Sequence, residues 1–550
     1  MLKLEEIAVI GTHLRVSGAK NVNEFINNLI TSTVSIKSFP SVKCGASSNM
    51  VNTKGILDDY DCFDAGFFNI SDQEARIMDP QHRVILEAVV HALETAGISY
   101  LENQKTIGIF CSCSANYNYS FSLYENGTLS SLDKYSWLIG NDKDYLATRV
   151  AHKLNFTGPA LTVQSGCSSS LVALHQACRS LQISDCDIAI VGGVSITLPM
   201  YSSYEFVEGM IYSKTGLCSP YSSEADGIVD GCGVGVIVLQ KKKEAIFEKR
   251  NIWSIIHASA INNDGSNKAS FLSPSVEQQI EVIRKALMQS NLNPKEIGYI
   301  EGHGTGTVIG DAMELTALDE VYGKDRSNLC YVGSVKANIG HLDAASGIIG
   351  FIKATLSVKQ GKVFPQPNLS QVTNHIKQEE SFLRFATQTN SWNDDCRYAA
   401  VTSLGVGGTN VHVIVSNHEN NFTYIPLPST NFRKFRYPNK LDQNITDKNV
   451  FMQSTAHKSD ICYNTEQKIL LAWNQTLGVN ITFINEDNFF EQGGDSLLAV
   501  KLVNLVNKEI QVNLSPVVLF NYPKLKDLKA YIVENLKQKK MQEEKVYDQL

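Results

Sequence analysis

At 550 residues the chain exceeds one ordinary domain, for which about 100 to 200 residues is usual, so a large unit plus a smaller one is expected. Apolar residues make up 43% and charged residues 19%, near the globular average and far from the composition of disordered chains. The 49 basic and 56 acidic residues leave a net charge of −7, which gives no electrostatic reason for a polyanionic partner and argues against nucleic acid.

The first residues, MLKLEEIAVIG, carry no basic run ahead of an apolar stretch, so no signal peptide is expected. No stretch of about 18 uninterrupted apolar residues is present, which argues against a membrane-spanning helix. The 12 cysteines are scattered without C-x-x-C pairs, so neither a disulfide framework nor a zinc site is expected. Reduced cysteines and a cytoplasmic location follow as expectations.

From residue 7 to about 416, short β-branched runs alternate with amphipathic stretches, the pattern of an α/β unit. Residues 107–111, 188–191 and 234–239 read as buried strands. Residues 79–97 read as a helix: Asp79 caps it, Pro80 fits the first turn, Ile85, Leu86, Val89 and Leu93 fall at helical spacing, and Gly97 stops it.

Cys167, in the run QSGCSSS, stands just ahead of a helical stretch whose stripe is Leu171, Leu174, Cys178 and Leu181. Unpaired N–H groups and the positive end of a helix dipole stabilise a thiolate, so this position is expected to lower the thiol pKa and raise nucleophilicity. A buried, inert thiol is the commoner state of a cysteine, and spacing alone does not separate the two. Further along come EGHGTGT, with His303, Thr305 and Thr307, and GSVKANIGH, with Lys336 and His341. Glycine lets backbone approach a ligand closely, and an imidazole held in such a turn can face a bound thioester. The glycines at 231, 233 and 235 lack a full nucleotide-binding pattern. His303, Asp311 and Glu314 lack the paired histidines of a metal helix, so no metal is expected.

Cys167 in GCSSSL, His303 in EGHGTGT, Lys336 and His341 in GSVKANIGH, the turn SLGVGGTN at 403–410, MDPQHR at 78–83 and CSPYSSEADGIVDGCGVG ending at Gly235 together resemble the β-ketoacyl synthase, or ketosynthase, domains of modular polyketide synthases. The resemblance runs from about residue 7 to 416. It implies a thiolase-type α/β fold of two similar halves layered αβαβα, normally a homodimer. It also implies an acyltransferase with Cys167 as nucleophile and His303 and His341 assisting decarboxylation of a malonyl-type extender. By the same resemblance Lys336 orders the histidines, the backbone N–H groups of Cys167 and Val406 form the oxyanion hole, and Thr305 and Thr307 bind the pantetheine arm. Two departures stand out. The usual D-T-A-C run reads Gln164-Ser165-Gly166-Cys167, and Leu404 and Val406 replace common phenylalanines, so that Val406 either widens the acyl pocket or reflects local repacking.

Residues 417–460 are rich in Asn, Thr and Lys, contain Pro426, Pro428 and Pro438, and show no sustained period, which predicts a linker. Residues 461–537 then read as a small all-α bundle, with helical spacing at 466–477, 496–506 and 525–536. Ser496, in FFEQGGDSLLAV, sits at a helix start, where a serine serves as N-cap and where a phosphodiester is also stabilised. The string resembles the modification site of acyl and peptidyl carrier domains, implying a four-helix fold and covalent 4′-phosphopantetheine on Ser496. Phe489 and Phe490 read as core anchors, and 538–550 as a charged tail.

The combined expectation is a condensing site tethered to its own carrier, the tether raising their effective concentration. Its partners would be acyl and malonyl carrier domains, a phosphopantetheinyl transferase, and an acyltransferase and β-carbon processing enzymes acting in trans, since the remaining length holds none of these. Two other readings stay open: a ketosynthase that transfers acyl groups without condensation, and a scaffold whose first domain only dimerises.

Overall fold

The β-branched runs of the first four hundred residues resolve into eleven strands of one mixed sheet: β1 (Ile7–Val16), β2 (Ile107–Cys113), β3 (Ala160–Thr162), β4 (Ile188–Ser195), β5 (Gly233–Lys241), β6 (Ser254–Asn263), β7 (Ile297–Glu301), β8 (Cys330–Gly333), β9 (Leu383–Phe385), β10 (Tyr398–Leu404) and β11 (Thr409–Ser416). Their spatial order is β9-β8-β7-β10-β11-β6-β1-β5-β4-β2-β3. The computed structural model describes residues 5–40, 49–441 apart from 102–103, 126–132, 267, 269, 325, 375–379, 421–423 and 439–440, and 465–536 apart from 478–480, 482–486, 491, 493–495, 513, 515–517 and 535. The chain divides into two units, Met1–Phe451 and Met452–Leu550.

The sheet repeats itself about the antiparallel pair β1–β6. Outward from β1, two antiparallel pairings (β5, β4) are followed by two parallel ones (β2, β3). Outward from β6, two antiparallel pairings (β11, β10) are likewise followed by parallel ones (β7, β8, β9). Six helices matter for the site: α1 (Pro80–Thr95), α2 (Ser169–Gln182), α3 (Val276–Ser290), α4 (Val308–Leu318), α5 (Lys336–Ile339) and α6 (Ser346–Gln360). α1 covers the outer face of the first half and α3 that of the second, while α2 and α6 pack together between the halves. This is the αβαβα layering of two similar halves that the resemblance implies.

Burial explains the middle layer. α6 is buried from Ser346 through Val358, and a helix enclosed on all sides belongs inside a core. α1 begins as its sequence predicts, with the Asp79 carboxylate accepting the Gln81 N–H at 2.8 Å and Pro80 in the first turn. The strands expected at 107–111, 188–191 and 234–239 occur as β2, β4 and β5, each longer than its apolar run because small residues such as Gly192 and Gly193 continue the ladder.

The expected linker departs from the structure over its first part. Phe432 is buried against Phe67 and Phe68, with ring centroids 5.0 and 5.8 Å apart. Phe435–Arg436 pairs antiparallel with Cys62–Phe63, Lys434 Nζ lies 2.7 Å from Glu87, Arg436 2.9 Å from Asp61, and the Tyr437 hydroxyl donates to Asp72 at 2.7 Å. Phe432 and Tyr437 are buried here while Lys434 and Arg436 between them meet carboxylates, a pattern that composition averages hide. Residues 442–464 of that linker, and the tail at 538–550, lie outside the described residues.

The second unit contains α7 (Thr465–Leu477), α8 (Ser496–Ile510), a short helix Val518–Asn521 and helical residues 525–534. Ile469, Trp473, Phe489, Leu502, Val506, Leu519, Leu528 and Ile532 form its core. Phe489 is fully buried, edge-on to Trp473 at 5.4 Å, and Phe490 packs against this core half-buried.

Candidate active site

Cys167 follows Gly166, whose φ of +63° turns the chain, and precedes α2. The turn between β10 and β11 is nested against this loop. Ser403 Oγ donates to the Cys167 carbonyl at 3.1 Å, and the Val406 N–H hydrogen-bonds the cysteine sulfur. A side chain at Gly405 would place its Cβ 2.2 Å from the Ser165 carbonyl oxygen, so only glycine fits. Val406 itself is 57% exposed, so its side chain borders open space and replaces no core volume.

The thiol does not behave as the helix position alone predicts. Burial and the Asp343 carboxylate push Cys167 up to about 12, against a downward pull from Lys336 and the Val406 N–H. Sequence reasoning counted the helix dipole and missed the desolvation of the half-enclosed sulfur, which is the larger effect.

The His303 loop leaves the C-terminal end of β7 and runs into α4, which pins it. Asp311 accepts N–H bonds from Thr305 (3.1 Å), Gly306 (3.1 Å) and Tyr221 (2.7 Å). Glu314 accepts from the His303 and Gly304 N–H groups and the Tyr221 hydroxyl. Burial raises both carboxyls, Asp311 to about 7. These residues, weighed in the sequence only as metal ligands, instead shape the loop. Three residues apart on one helix, they share a face aimed at the glycine-rich run just before it, and that spacing was the available signal. No cluster of three or more metal-ligating side chains occurs among the described residues. The Thr305 and Thr307 hydroxyls lie 3.0 Å apart, half-buried.

Lys336 opens α5, buried, and its Nζ donates to the His303 carbonyl oxygen. The segment ahead of it is anchored by Glu301, which accepts the Val335 N–H at 2.6 Å and pairs with Lys353 at 2.9 Å. His341 Nδ1 accepts the Asp343 N–H at 2.9 Å and lies 2.9 Å from Ser346 Oγ. Since Nδ1 accepts, a neutral ring carries its proton on Nε2. Burial, then the Lys336 charge, lowers His341 to about 3 and holds His303 well below the ordinary value. The two rings lie 5.9 Å apart and nearly perpendicular, and His303 Nδ1 is buried without a partner among the described residues. Asp343 closes the circuit, its Oδ1 standing 3.8 Å from Cys167 Sγ. Thus Cys167, His303, Lys336 and His341 meet at the junction of the two halves.

Residues 4–245 match the model of the β-ketoacyl synthase N-terminal domain and residues 253–370 that of its C-terminal domain. A solved structure of ketosynthase twelve from the bacillaene polyketide synthase of Bacillus amyloliquefaciens is 34% identical, with a TM-score of 0.72, covering 75% of this chain and 75% of that one. The chain belongs to the β-ketoacyl synthase family. The ketosynthase is followed by residues 467–532, which match the phosphopantetheine attachment site, a domain type carrying 4′-phosphopantetheine on a serine. A phenolphthiocerol/phthiocerol polyketide synthase of Mycobacterium tuberculosis is 38% identical over 429 residues, 74% of this chain and 29% of that protein. Polyketide synthase PksN of Bacillus subtilis is 36% identical over 432 residues, 76% of this chain and 8% of that protein. The chain therefore spans less than a third of the length of these curated relatives. Among the described residues, no helix of the ketosynthase or its carrier is long and apolar enough to cross a membrane.

Proposed function

We propose that the chain catalyses decarboxylative Claisen condensation, joining an acyl thioester to a malonyl-type extender held on a carrier protein. The observation that carries this reading is the pair of neutral imidazoles beside a cysteine, with the His341 tautomer set by the Asp343 N–H. Cys167 Sγ attacks the acyl carbonyl carbon, the carrier thiol leaves with the proton, and the N–H groups of Cys167 and Val406 stabilise the oxyanion. The extender then loses carbon dioxide, and its electron pair passes to the thioester carbonyl oxygen. His341 Nε2–H and His303 donate to that oxygen, which needs neutral rings at working pH. The α-carbon attacks the Cys167 thioester, and the cysteine sulfur departs. Lys336 keeps His303 in place through its backbone carbonyl, and Thr305 and Thr307 steady the substrate arm.

Ser496, as the first residue of α8, fits the attachment point: its hydroxyl supplies the ester oxygen, and the first-turn N–H groups of a long helix suit a phosphate. Phosphopantetheine supplies there a thiol on a flexible arm. A phosphopantetheinyl transferase would install it, acyl and malonyl carriers would deliver substrate, and an acyltransferase and β-carbon processing enzymes would act in trans. A cytoplasmic homodimer, a ketosynthase unit at residues 1–416 and a carrier at 461–537 complete the reading.

Intact-protein mass measurement after incubation with an acyl thioester and malonyl carrier tests it. Wild type should gain the acyl group on Cys167 and then release an elongated product. Cys167→Ala should take no acyl group on the first unit, and Ser496→Ala should not be pantetheinylated while remaining folded. Loading without growth would identify a transfer-only enzyme, and no loading a scaffold.

A further inference from the structure

Asp343 touches both halves of the chemistry. Its Oδ1 lies 3.8 Å from Cys167 Sγ, within reach of a thiol donor, and its backbone N–H donates to His341 Nδ1 at 2.9 Å. A φ of +41° makes this possible, since the left-handed turn sends the N–H back to the imidazole while the side chain reaches the sulfur. Asp and Asn are the non-glycine residues that most readily adopt it.

We propose that Asp343 is a positioning residue for the nucleophile: its carboxylate accepts the Cys167 S–H and keeps the sulfur protonated at rest, while its main chain sets the His341 proton on Nε2. This rests on Cys167 being the acyl acceptor, and it adds a residue that no motif marks. The other groups facing the sulfur pull the opposite way. Lys336 favours the thiolate, but its charge is shared with Glu301 and Glu314, and the Val406 N–H adds one dipole. Facing Asp343 itself are Asp230 and Tyr212, joined at 3.3 Å, with Lys54 acting on Asp230. The carboxylate is therefore the strongest charge opposing ionisation of the thiol, and burial amplifies it. The resting enzyme would thus be slow toward electrophiles other than a bound thioester.

Iodoacetamide alkylation of the full chain from about pH 6 to about pH 10, read at the Cys167 peptide by mass spectrometry, tests this apart from any catalytic assay. Peptide resolution separates Cys167 from half-buried Cys62 and exposed Cys396. The wild-type midpoint should lie above the ordinary thiol value of about 8.5. Asp343→Asn keeps size and left-handed tolerance. It should lower the midpoint by about one unit, raising alkylation at neutral pH about tenfold, while Asp343→Glu stays near wild type. Coincident Asn and wild-type profiles, or a wild-type midpoint at or below the ordinary value, would overturn the proposal. Acyl loading is measured in parallel: a shifted Asn profile without loading in wild type supports the role of Asp343 and removes the ketosynthase reading instead.

Discussion

Glu314 Oε1 accepts the backbone N–H of His303 at 2.6 Å, so a side chain from α4 sets where a candidate catalytic imidazole begins. Its other oxygen takes the Gly304 N–H at 2.8 Å and the Tyr221 hydroxyl at 2.9 Å. Glu314→Gln would turn an amide NH2 toward one of these buried donors, at a cost of about 1–3 kcal/mol. A loop displaced by about 1 Å should slow condensation by on the order of a hundredfold. Acylation of Cys167, which does not use His303, should persist. Thermal unfolding together with separate loading and condensation assays checks both parts, and equal losses in the two assays would contradict it.

The histidines dictate a pH profile. Both are lowered, His341 from 6.5 to about 3, so each stays neutral as the pH falls and gains a proton only in strong acid. With pre-acylated enzyme, the condensation rate should stay flat from about pH 8 down to about pH 5. An acid limb centred near the ordinary histidine value of 6.5 would show a charged imidazole in the working range.

Gly405→Ala should separate folding from chemistry. The added Cβ would stand 2.2 Å from the Ser165 carbonyl and 2.5 Å from Ser168 Oγ, forcing the turn away from the cysteine loop and carrying the Val406 N–H with it. Loss of one oxyanion donor costs about 10²–10³ in rate, so acyl loading should fall by that factor while the carrier unit is unaffected. Loading at the wild-type rate would remove Val406 from the oxyanion hole.

Phe432→Ala should destabilise the first unit by about 3 kcal/mol, the usual cost of removing a buried aromatic ring. Phe435→Ala, at a position 60% exposed, should do little. Denaturant midpoints of the two variants, with equal slopes, check this. Similar midpoints would mean that the segment's docking contributes nothing to stability.

Much of this was legible in the sequence. The helix over residues 79–97 followed from Asp79, Pro80 and its apolar spacing, and Cys167, His303, Lys336 and His341 were found through the glycine-rich runs around them. The thiol's ionisation was not, because burial and Asp343 act through space and leave no local pattern. Asp311 and Glu314 were weighed only as metal ligands and set aside, since their actual partners, backbone amides and the Tyr221 hydroxyl, leave no side-chain motif. The docked segment around Phe432 was hidden because its partners, Glu87, Asp61 and Asp72, lie more than three hundred residues upstream.

The central place of β1 bears on how the molecule is made. Its neighbours, β5 and β6, both come later in the chain, so one of its edges stays open until residue 241 has been synthesised and the other until residue 263. An unpaired apolar strand with two open edges invites association with other nascent chains. Chaperone cover over that interval, more than the intrinsic strength of the finished core, would then govern the yield of active molecules.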